Sequence, residues 1–377
     1  MNKKHKIILI ANTYNFFNSF MLNHIKELSK KYKIYLCCNS AYKLKKSIPD
    51  NVSLININYK RGLNFFHDIA IFFSTLFFLK KKKPYILISF TPKIGFIVAL
   101  ASLIVRIPNY IHWFTGQIWV TKTGFSKNIF KFIDKLIFTL SDRVLVDSFS
   151  QRRFLIRENI ITRQKSSVLF KGSVGGVNTL KFKFNKNRGK FLREKYSITK
   201  NTFIYLYLGR INKEKGINEL VEAFEKINNN NVFLIIVGSL EDRNLKILFK
   251  KKNKILHINH TNNPEHFFSM ANVLCLPSHR EGFGTVVIEA ASCSLPTLAS
   301  KIYGLQDSIT ENKTGFFHKK NNVNDLKKKM LYLSRNRMFV KKIGKFARKK
   351  AVSDFENKLL TKSFIKYLNS NFNLNEK

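Results

Sequence analysis

Residues 273–293 read VLCLPSHREGFGTVVIEAASC and carry three local signals in succession. The apolar run 273–277 is typical of a short buried strand, and the glycines at positions 282 and 284 indicate a loop after it. From Thr285 onward the apolar residues have the spacing of a helix that buries one face. A buried strand followed at once by a loop and a helix is the repeating unit of a parallel α/β sheet.

Two glutamates flank this loop. Glycine lets a ligand approach the backbone closely, and the free N–H groups at the start of a helix favour an anion. Side chains lean toward the N-terminus of their helix, so Glu289, one turn beyond Thr285, is expected to reach back toward the loop that carries Glu281. Two converging carboxylates would accept hydrogen bonds from sugar and ribose hydroxyls. The alternative is a glycine turn at the surface with a solvated glutamate on the helix.

A second strand-to-helix loop reads LGRINKEKG over residues 208–216. Arg210 and Lys215 flank the turn, so both cations can face a ligand above the start of the next helix. Arginine suits bidentate recognition of phosphate, and lysine supplies a compact positive charge. Together they could neutralise a leaving diphosphate. Charged loops are nevertheless ordinary in a chain with 67 Lys and Arg, so this loop alone is a weak signal.

The same alternation of strand and helix recurs along the chain. The predicted strands are Lys6–Ala11, Lys33–Cys37, Tyr85–Phe90, Tyr110–Trp113, Val144–Asp147, Phe203–Leu208, Val232–Val237, Val273–Pro277 and Pro296–Ala299. The predicted helices are 17–30, 65–79, 94–105, 126–140, 149–158, 217–227 and 324–371. Short buried strands that alternate with helices predict α/β domains with parallel sheets covered on both faces.

The alternation is interrupted once, and this interruption predicts the domain boundary. Residues 171–190 are rich in Gly, Asn and charge and show no apolar period. We predict an N-terminal, acceptor-side domain (1–178), a linker (179–195), a C-terminal nucleotide-sugar domain (196–352) and a C-terminal helix (353–377) that crosses back to the first domain. Two Rossmann-like, doubly wound domains would face a central cleft, with ligands beyond the carboxyl ends of the strands.

The formal net charge of +44 is the most prominent feature of the composition. It is +22 in residues 1–180 and +22 in residues 181–377, so it marks no single tail or domain and fits a general compositional bias as much as a dedicated surface. An anionic membrane surface attracts such a chain, at about 1 kcal/mol for each nearby Lys or Arg. No nucleic-acid-binding motif accompanies the charge, so we expect a membrane surface and no nucleic acid as partner.

Two apolar stretches bear on the relation to a membrane. Ile69–Leu79 and Ile94–Val105 are shorter than the ~20 residues that span a bilayer, so we expect no transmembrane segment. They are either buried helices or helices that lie against a membrane with lysines at the headgroups. The four cysteines show no metal-ligand spacing and fit a reducing cytoplasm.

Taken in this order, the loops 209–216 and 281–289 resemble the G-R-x4-K-G and E-x7-E elements of the retaining GT-B glycosyltransferases of family 4 type. This large bacterial family includes capsule, O-antigen and lipopolysaccharide enzymes. The resemblance extends over nearly the whole chain, through residues 89–93, 112–117, 146–152, 176–178 and 311–316. It implies transfer of a sugar from a UDP- or GDP-sugar to a lipid-linked saccharide, with no cofactor, at the inner face of the cytoplasmic membrane.

The resemblance also implies roles for individual residues. Arg210 and Lys215 would contact the donor diphosphate, Glu289 would hold the ribose, and Glu281 would lie by the donor sugar. The donor-binding residues by resemblance are Gly209, Arg210, Lys215, Gly282, Phe283, Gly284, Thr285 and Glu289. His112 matches a family histidine near the reacting sugar, although a lone histidine at a strand end is more often structural. The glycine-rich loop of many relatives is replaced by 12–16 (NTYNF), so its role is not carried over.

The chemistry implied by the resemblance requires no metal. The chain has no Asp-x-Asp motif, and basic side chains with a helix start would stabilise the leaving group instead. The acceptor hydroxyl would attack on the face that the diphosphate leaves, and the departing phosphate would take the proton. Two alternatives stay open, a sugar-nucleotide 2-epimerase of the same fold and a non-enzymatic basic scaffold that binds membranes.

Overall fold

The computed structural model describes residues 5–59, 64–249, 254–372 and 374. The chain divides into two compact units. Unit 1 comprises Met1–Gly176 with Asn357–Lys377, and unit 2 comprises Val177–Glu356. The linker predicted at 179–195 differs from this arrangement, because Lys186–Lys195 is a helix within unit 2. That helix buries only Gly189 and Leu192, so it has no apolar period that would reveal it in the sequence.

Unit 1 is built on a seven-stranded parallel sheet of order β3-β2-β1-β4-β5-β6-β7. The strands are β1 Lys6–Thr13, β2 Lys33–Asn39, β3 Ser53–Asn56, β4 Ile86–Phe90, β5 Tyr110–Phe114, β6 Arg143–Val146 and β7 Ser166–Val168. The five predicted strands of this half are confirmed. The two missed strands, β3 and β7, lie at the edges of the sheet, where short and half-buried segments have little apolar signal.

Helices cover both faces of this sheet, as its fully buried strands require. They are α1 Tyr14–Phe16, α2 Leu22–Ser29, α3 Phe65–Lys82, α4 Pro92–Val105, α5 Gly124–Leu140 and α6 Phe149–Arg157. A π-helical turn, Phe17–Met21, joins α1 to α2. Within the described part of the chain, no helix is both long and apolar enough to cross a membrane.

Unit 2 is built on a six-stranded parallel sheet of order β10-β9-β8-β11-β12-β13. Its strands are β8 Phe203–Leu208, β9 Val232–Val237, β10 Ile255–Ile258, β11 Val273–Leu276, β12 Thr297–Ser300 and β13 Gly315–His318. The four predicted strands are confirmed, and the two missed strands are again the edges. The two sheets establish the predicted α/β class with two Rossmann-like units.

The helices of unit 2 and the C-terminal segment complete the fold. They are α7 Lys186–Lys195, α8 Ile217–Glu225, α9 Pro264–Met270, α10 Thr285–Ser292, α11 Val323–Arg335, α12 Arg337–Phe355 and α13 Asn357–Phe372. The stretch predicted as helical from 324 to 371 is therefore three helices. The last of them, α13, packs on α2 in unit 1 and contributes Leu360, Phe364 and Leu368 to the core there.

Candidate functional site

The strand order of unit 2 places the two predicted loops side by side. β8 pairs with β9 on one side and with β11 on the other, so the winding of the sheet reverses between β8 and β11. Such a switch point leaves a crevice at the carboxyl ends of the two strands, where doubly wound sheets bind ligands. The loop 209–216 follows β8, and the loop 277–284 follows β11. The two loops that carry the predicted site therefore meet at this crevice.

Gly216 allows the two loops to make contact. Its φ of +68° lies in the left-handed region, and a side chain at this position would collide with the backbone carbonyl of Pro277. Glycine avoids both the strain and the collision. Gly216 is also the N-cap residue of α8, so this glycine allows the close approach of the loops and precedes the start of the helix.

Two of the residues predicted for the donor site contact each other directly. Lys215 Nζ lies 2.6 Å from Glu281 Oε1, and the two side chains are only 16% and 14% exposed. Ser278 Oγ donates a second hydrogen bond to the same carboxylate oxygen, at 2.8 Å. Limited exposure reduces solvent screening, so this pair is held more firmly than an ordinary surface salt bridge. Ser278 was not predicted, because serine is common in loops and has no distinctive spacing here.

Further links across the two loops were also missed in the sequence. Arg280 Nη2 donates to Glu214 Oε2 at 2.6 Å, and the backbone N–H of His279 donates to the carbonyl of Glu214 at 2.8 Å. His279 Nε2 lies 2.7 Å from Glu219 Oε1 on α8. These contacts hold loop 277–284 against loop 209–216. The two loops carry opposite charges, but the sequence predicts these pairs only if the two loops are already known to be neighbours.

Arg210 pairs with a carboxylate other than Glu281. Its Nη1 donates to both carboxylate oxygens of Glu241 at 3.0 Å, and Asn212 Nδ2 donates to the same carboxylate at 2.8 Å. The Tyr207 hydroxyl donates to the backbone carbonyl of Arg210 at 2.6 Å and so fixes the loop. Half of the guanidinium side chain is exposed, which leaves it accessible to an anionic ligand. The preceding Gly209 extends the pairing of β8 with β9, since its backbone N–H donates to the carbonyl of Val237 at 3.0 Å.

The loop 277–284 has the backbone geometry that its glycines predicted. Gly284 has φ +72° and caps α10, which begins at Thr285. Phe283 is buried and packs edge-on against Phe355, with ring centroids 5.2 Å apart, so only its backbone is available to a ligand. Gly282 is half-buried. The loop therefore offers main-chain N–H groups at a helix start, a favourable environment for an anion.

Glu289 has a different environment from Glu281. It is half-buried on α10 and forms no hydrogen bond with another described side chain. Burial raises the pKa of its carboxyl to about 7, while nearby Lys181 lowers it and Glu265 raises it further. When it is ionised, its oxygens are free of hydrogen bonds from the described residues, so they can accept hydrogen bonds from ligand hydroxyls. Lys181 lies in the segment predicted as linker and was missed for that reason.

His112 lies in unit 1, on β5, and its side chain is fully buried. Its Nδ1 is 2.8 Å from Ser89 Oγ, and its ring fits against Gly95, where any side chain would collide with the imidazole. Burial lowers the pKa of His112 to about 3, so the ring is neutral. This environment is that of a core histidine, and a role for His112 at the reacting sugar stays a prediction.

Comparison with known proteins places this geometry in a family. The family model "Glycosyl transferases group 1" matches residues 189–350, which is most of unit 2. The capsular polysaccharide biosynthesis glycosyltransferase CapM of Staphylococcus aureus is 31% identical over 319 residues, covering 82% of this chain and 83% of that protein. The chain belongs to the group 1 glycosyl transferases. It is therefore an enzyme of the transferase class.

Two other comparisons extend this result. A galactosyltransferase of Escherichia coli, named UDP-Gal:alpha-D-GlcNAc-diphosphoundecaprenol alpha-1,3-galactosyltransferase, is 24% identical to this glycosyltransferase over 78% of both chains. The structure of HepE from Anabaena in complex with UDP-glucose matches with a TM-score of 0.80 and 15% identity, covering 97% of this chain and 99% of that one. At that identity the likeness establishes the GT-B type of fold, with two Rossmann-like domains, and nothing more.

Proposed function

We propose that this glycosyltransferase moves a sugar from a UDP- or GDP-sugar to a lipid-linked saccharide, with retention of configuration, in the assembly of a cell-surface polysaccharide. The observation that carries the proposal is the Lys215–Glu281 pair at the switch point of unit 2, beside the glycine-capped start of α10. This arrangement combines a cation for phosphate, a carboxylate for hydroxyls and a helix start for an anion.

The donor would occupy this crevice with its diphosphate near the start of α10. Lys215 and Arg210 supply positive charge to the phosphates, and both are held in place by carboxylates, Glu281 and Glu241. Glu289 accepts hydrogen bonds from the ribose hydroxyls, and Glu281 accepts them from the donor sugar. The phosphates of such a ligand would thus meet cations, and its hydroxyls would meet carboxylates that accept hydrogen bonds.

The reaction we propose breaks the bond between the anomeric carbon and the diphosphate oxygen. The acceptor hydroxyl attacks the anomeric carbon on the face that the diphosphate leaves, so configuration is retained. The departing phosphate oxygen takes the proton of the acceptor hydroxyl, and the nucleoside diphosphate is released. Lys215, Arg210 and the backbone N–H groups at the start of α10 stabilise the negative charge that develops on the leaving group.

The acceptor and the cellular place of the enzyme are proposed from its relatives and its charge. One relative is named for capsular polysaccharide biosynthesis, and the other for a substrate on diphosphoundecaprenol. A saccharide on such a lipid stays in the membrane, so the enzyme must reach the bilayer surface to act on it. The net charge of +44 favours this association with an anionic inner leaflet. We therefore propose a peripheral enzyme at the inner face of the cytoplasmic membrane.

A donor screen tests the proposal. Purified enzyme is mixed with a panel of UDP- and GDP-sugars, and melting temperature, donor hydrolysis and transfer to a polyprenyl-diphosphate saccharide are measured. We expect at least one donor to raise the melting temperature and to be consumed, with retention seen by NMR of the product. Interconversion of free nucleotide sugars without transfer would instead indicate a 2-epimerase. If no nucleotide sugar changes the melting temperature and none is consumed, the proposed UDP- or GDP-sugar donor is wrong and the proposal fails.

A further inference from the structure

Three helices of unit 1 pack side by side on one face of its sheet. α4 packs against α3 on one side and against α5 on the other. Its inward residues, including Ile94, Val98 and Ala101, are buried against the sheet. The outward surfaces of the three helices therefore lie next to each other. We call this surface the α3–α5 face.

The α3–α5 face exposes large apolar side chains in regular stripes. The exposed residues are Phe65, Phe66, Ile69, Phe73 and Phe77 on α3, Leu103 and Ile104 on α4, and Phe125, Ile129 and Phe132 on α5. Successive members on α3 from position 66 are three or four residues apart, as are those on α5, so each set lies along one side of its helix. Phe66 is 82% exposed and Phe125 is 80% exposed. Exposed apolar side chains gathered on three neighbouring helices indicate an interaction site.

Exposed apolar residues elsewhere in the chain have a different distribution. In unit 2 they are Leu180, Phe184, Phe191, Ile247, Tyr332, Met338, Phe346 and Val352. These residues belong to several separate elements of that unit. Isolated exposed hydrophobic residues are normal on a protein surface and require no partner. The clustering on three adjacent helices distinguishes the α3–α5 face from this background.

The charge around the α3–α5 face is almost entirely positive. Residues 64–140 contain ten Lys and Arg but only two carboxylates. Of these two, Asp68 is paired with Lys93 at 2.6 Å, and Asp134 is buried and accepts a hydrogen bond from Trp119 at 2.8 Å. Exposed lysines at 80 and 81 border the face where α3 ends. The face is therefore apolar in its centre, basic at its border and without an exposed carboxylate on α3, α4 or α5.

The apolar centre and basic border of the α3–α5 face together favour an anionic lipid surface as its partner. Phenylalanine side chains insert at the boundary between headgroups and acyl chains, and lysines extend to the phosphates of anionic lipids. A second copy of the same chain would bring its own basic border, including the exposed lysines at 80 and 81, against the same border of the first copy, with no exposed carboxylate on α3, α4 or α5 to neutralise it. Such juxtaposition of like charges opposes self-association. An anionic lipid surface meets both the apolar and the basic part of the face.

We propose that the α3–α5 face docks unit 1 on an anionic bilayer, with Phe66, Phe73, Phe77, Phe125 and Phe132 inserted at the headgroup boundary. This inference rests on the peripheral membrane location given under the proposed function and specifies the surface that produces it. The docked face fixes unit 1 on the plane in which a lipid-linked saccharide is held.

Vesicle flotation with phosphatidylglycerol-containing liposomes tests the docking surface. The triple variant F66S/F77S/F132S should bind about tenfold more weakly than wild type or worse, because it removes apolar area from the inserted stripe. The variant K80E/K81E should also bind weakly, and its residual binding should depend less on salt. The matched controls are F191S and K341E/K342E, which change exposed residues of unit 2 and should bind as wild type does.

A second measurement guards against loss of folding. The variant F132W should show a blue shift of tryptophan emission with anionic vesicles and none with neutral ones, whereas the native Trp113 and Trp119 are already buried. Unchanged flotation of both test variants, or a missing blue shift, would overturn the proposal. So would light scattering that shows a dimer in wild type and a monomer in the triple variant. The donor-induced rise in melting temperature is measured in parallel, so failure of docking is separable from failure of donor binding.

Discussion

Lys215 and Glu281 lie 66 residues apart in the sequence, yet Lys215 Nζ donates to Glu281 Oε1 at 2.6 Å. The contact exists because β8 and β11 are neighbours in the sheet and each is followed by a loop at the same edge. Under the proposed function, the pair keeps a cation for the donor phosphates and a carboxylate for the sugar hydroxyls in position before any donor binds. Preorganised charges of this kind stabilise a transition state without reorganisation during the reaction.

Removal of the Lys215 ammonium is expected to slow turnover more than it weakens donor binding. Lys215→Met should lower kcat by about 10²- to 10³-fold, because the charge that develops on the leaving diphosphate loses one of its two proposed cations. The comparison is Lys213→Met, which changes an exposed lysine of the same loop. Steady-state kinetics with the donor found in the screen give kcat and KM separately. Equal kcat in the two variants would exclude this role for Lys215.

Donor binding should depend on pH through Glu289. Burial raises the pKa of this carboxyl to about 7, and hydrogen bonds from ribose hydroxyls favour its ionised form. The donor KM should therefore rise as pH falls below about 7 and stay level above it. Glu289→Gln should remove this dependence and weaken donor binding by about 1 kcal/mol, or roughly fivefold. The control is Glu222→Gln on α8, whose carboxylate pairs with Lys226. A Gln variant with the wild-type pH profile would assign the titration elsewhere.

A side chain at position 216, where the two loops approach each other, should lower the free energy of unfolding. Gly216→Ala adds left-handed backbone strain and a collision with the Pro277 carbonyl. Gly124→Ala is a matched control, since Gly124 has φ +57° and nothing within 4 Å of an added Cβ. The control should cost about 1 kcal/mol of unfolding free energy, and Gly216→Ala about 2–3 kcal/mol more. Denaturant unfolding measures both, and similar losses would show that the collision is relieved by small movements.

Unit 1 should lose stability as the pH rises from about 6.5 to about 8. Burial raises the pKa of Asp147 to about 8, although the Trp113 indole N–H, 3.1 Å from its Oδ1, acts in the opposite direction. Because the folded pKa lies above the unfolded value, the folded state keeps a proton that the unfolded state has released, and stability falls as pH rises through this window. Asp147→Asn keeps an acceptor for Trp113 and should reduce the dependence, leaving the part below about pH 7 that comes from Asp134, whose pKa burial raises to about 7.

Tryptophan fluorescence is the appropriate measurement for this pH dependence. Both tryptophans of the chain, Trp113 and Trp119, lie in unit 1, so their emission during denaturant unfolding reports that unit alone. The exposed Asp50 provides the control substitution, Asp50→Asn, which should leave the slope unchanged. A wild-type unfolding free energy that stays constant from pH 6.5 to 8 would contradict the assignment to Asp147.

The sequence by itself determined the central strands and the two loops of the site. Phe203–Leu208 was predicted with its observed bounds, because a continuous apolar run between turn signals has few other solutions. The glycine at 284 and the apolar spacing after it likewise predicted the start of α10. These features depend on local physical chemistry, the burial of a strand on both faces and the left-handed backbone that glycine adopts.

Only the tertiary structure decided which side chains meet. The edge strand Gly315–His318 becomes a strand through pairing with Thr297–Ser300, which its own four residues do not encode. The partners of Arg280 and His279 depend on the order of the strands, because that order brings loops that are distant in the sequence close enough for their charged side chains to pair. The buried imidazole of His112 fits against α4 only because residue 95 is a glycine, and the spacing of apolar residues did not single out this glycine. Periodicity reports burial along one element, whereas contacts between elements follow from how the strands are ordered.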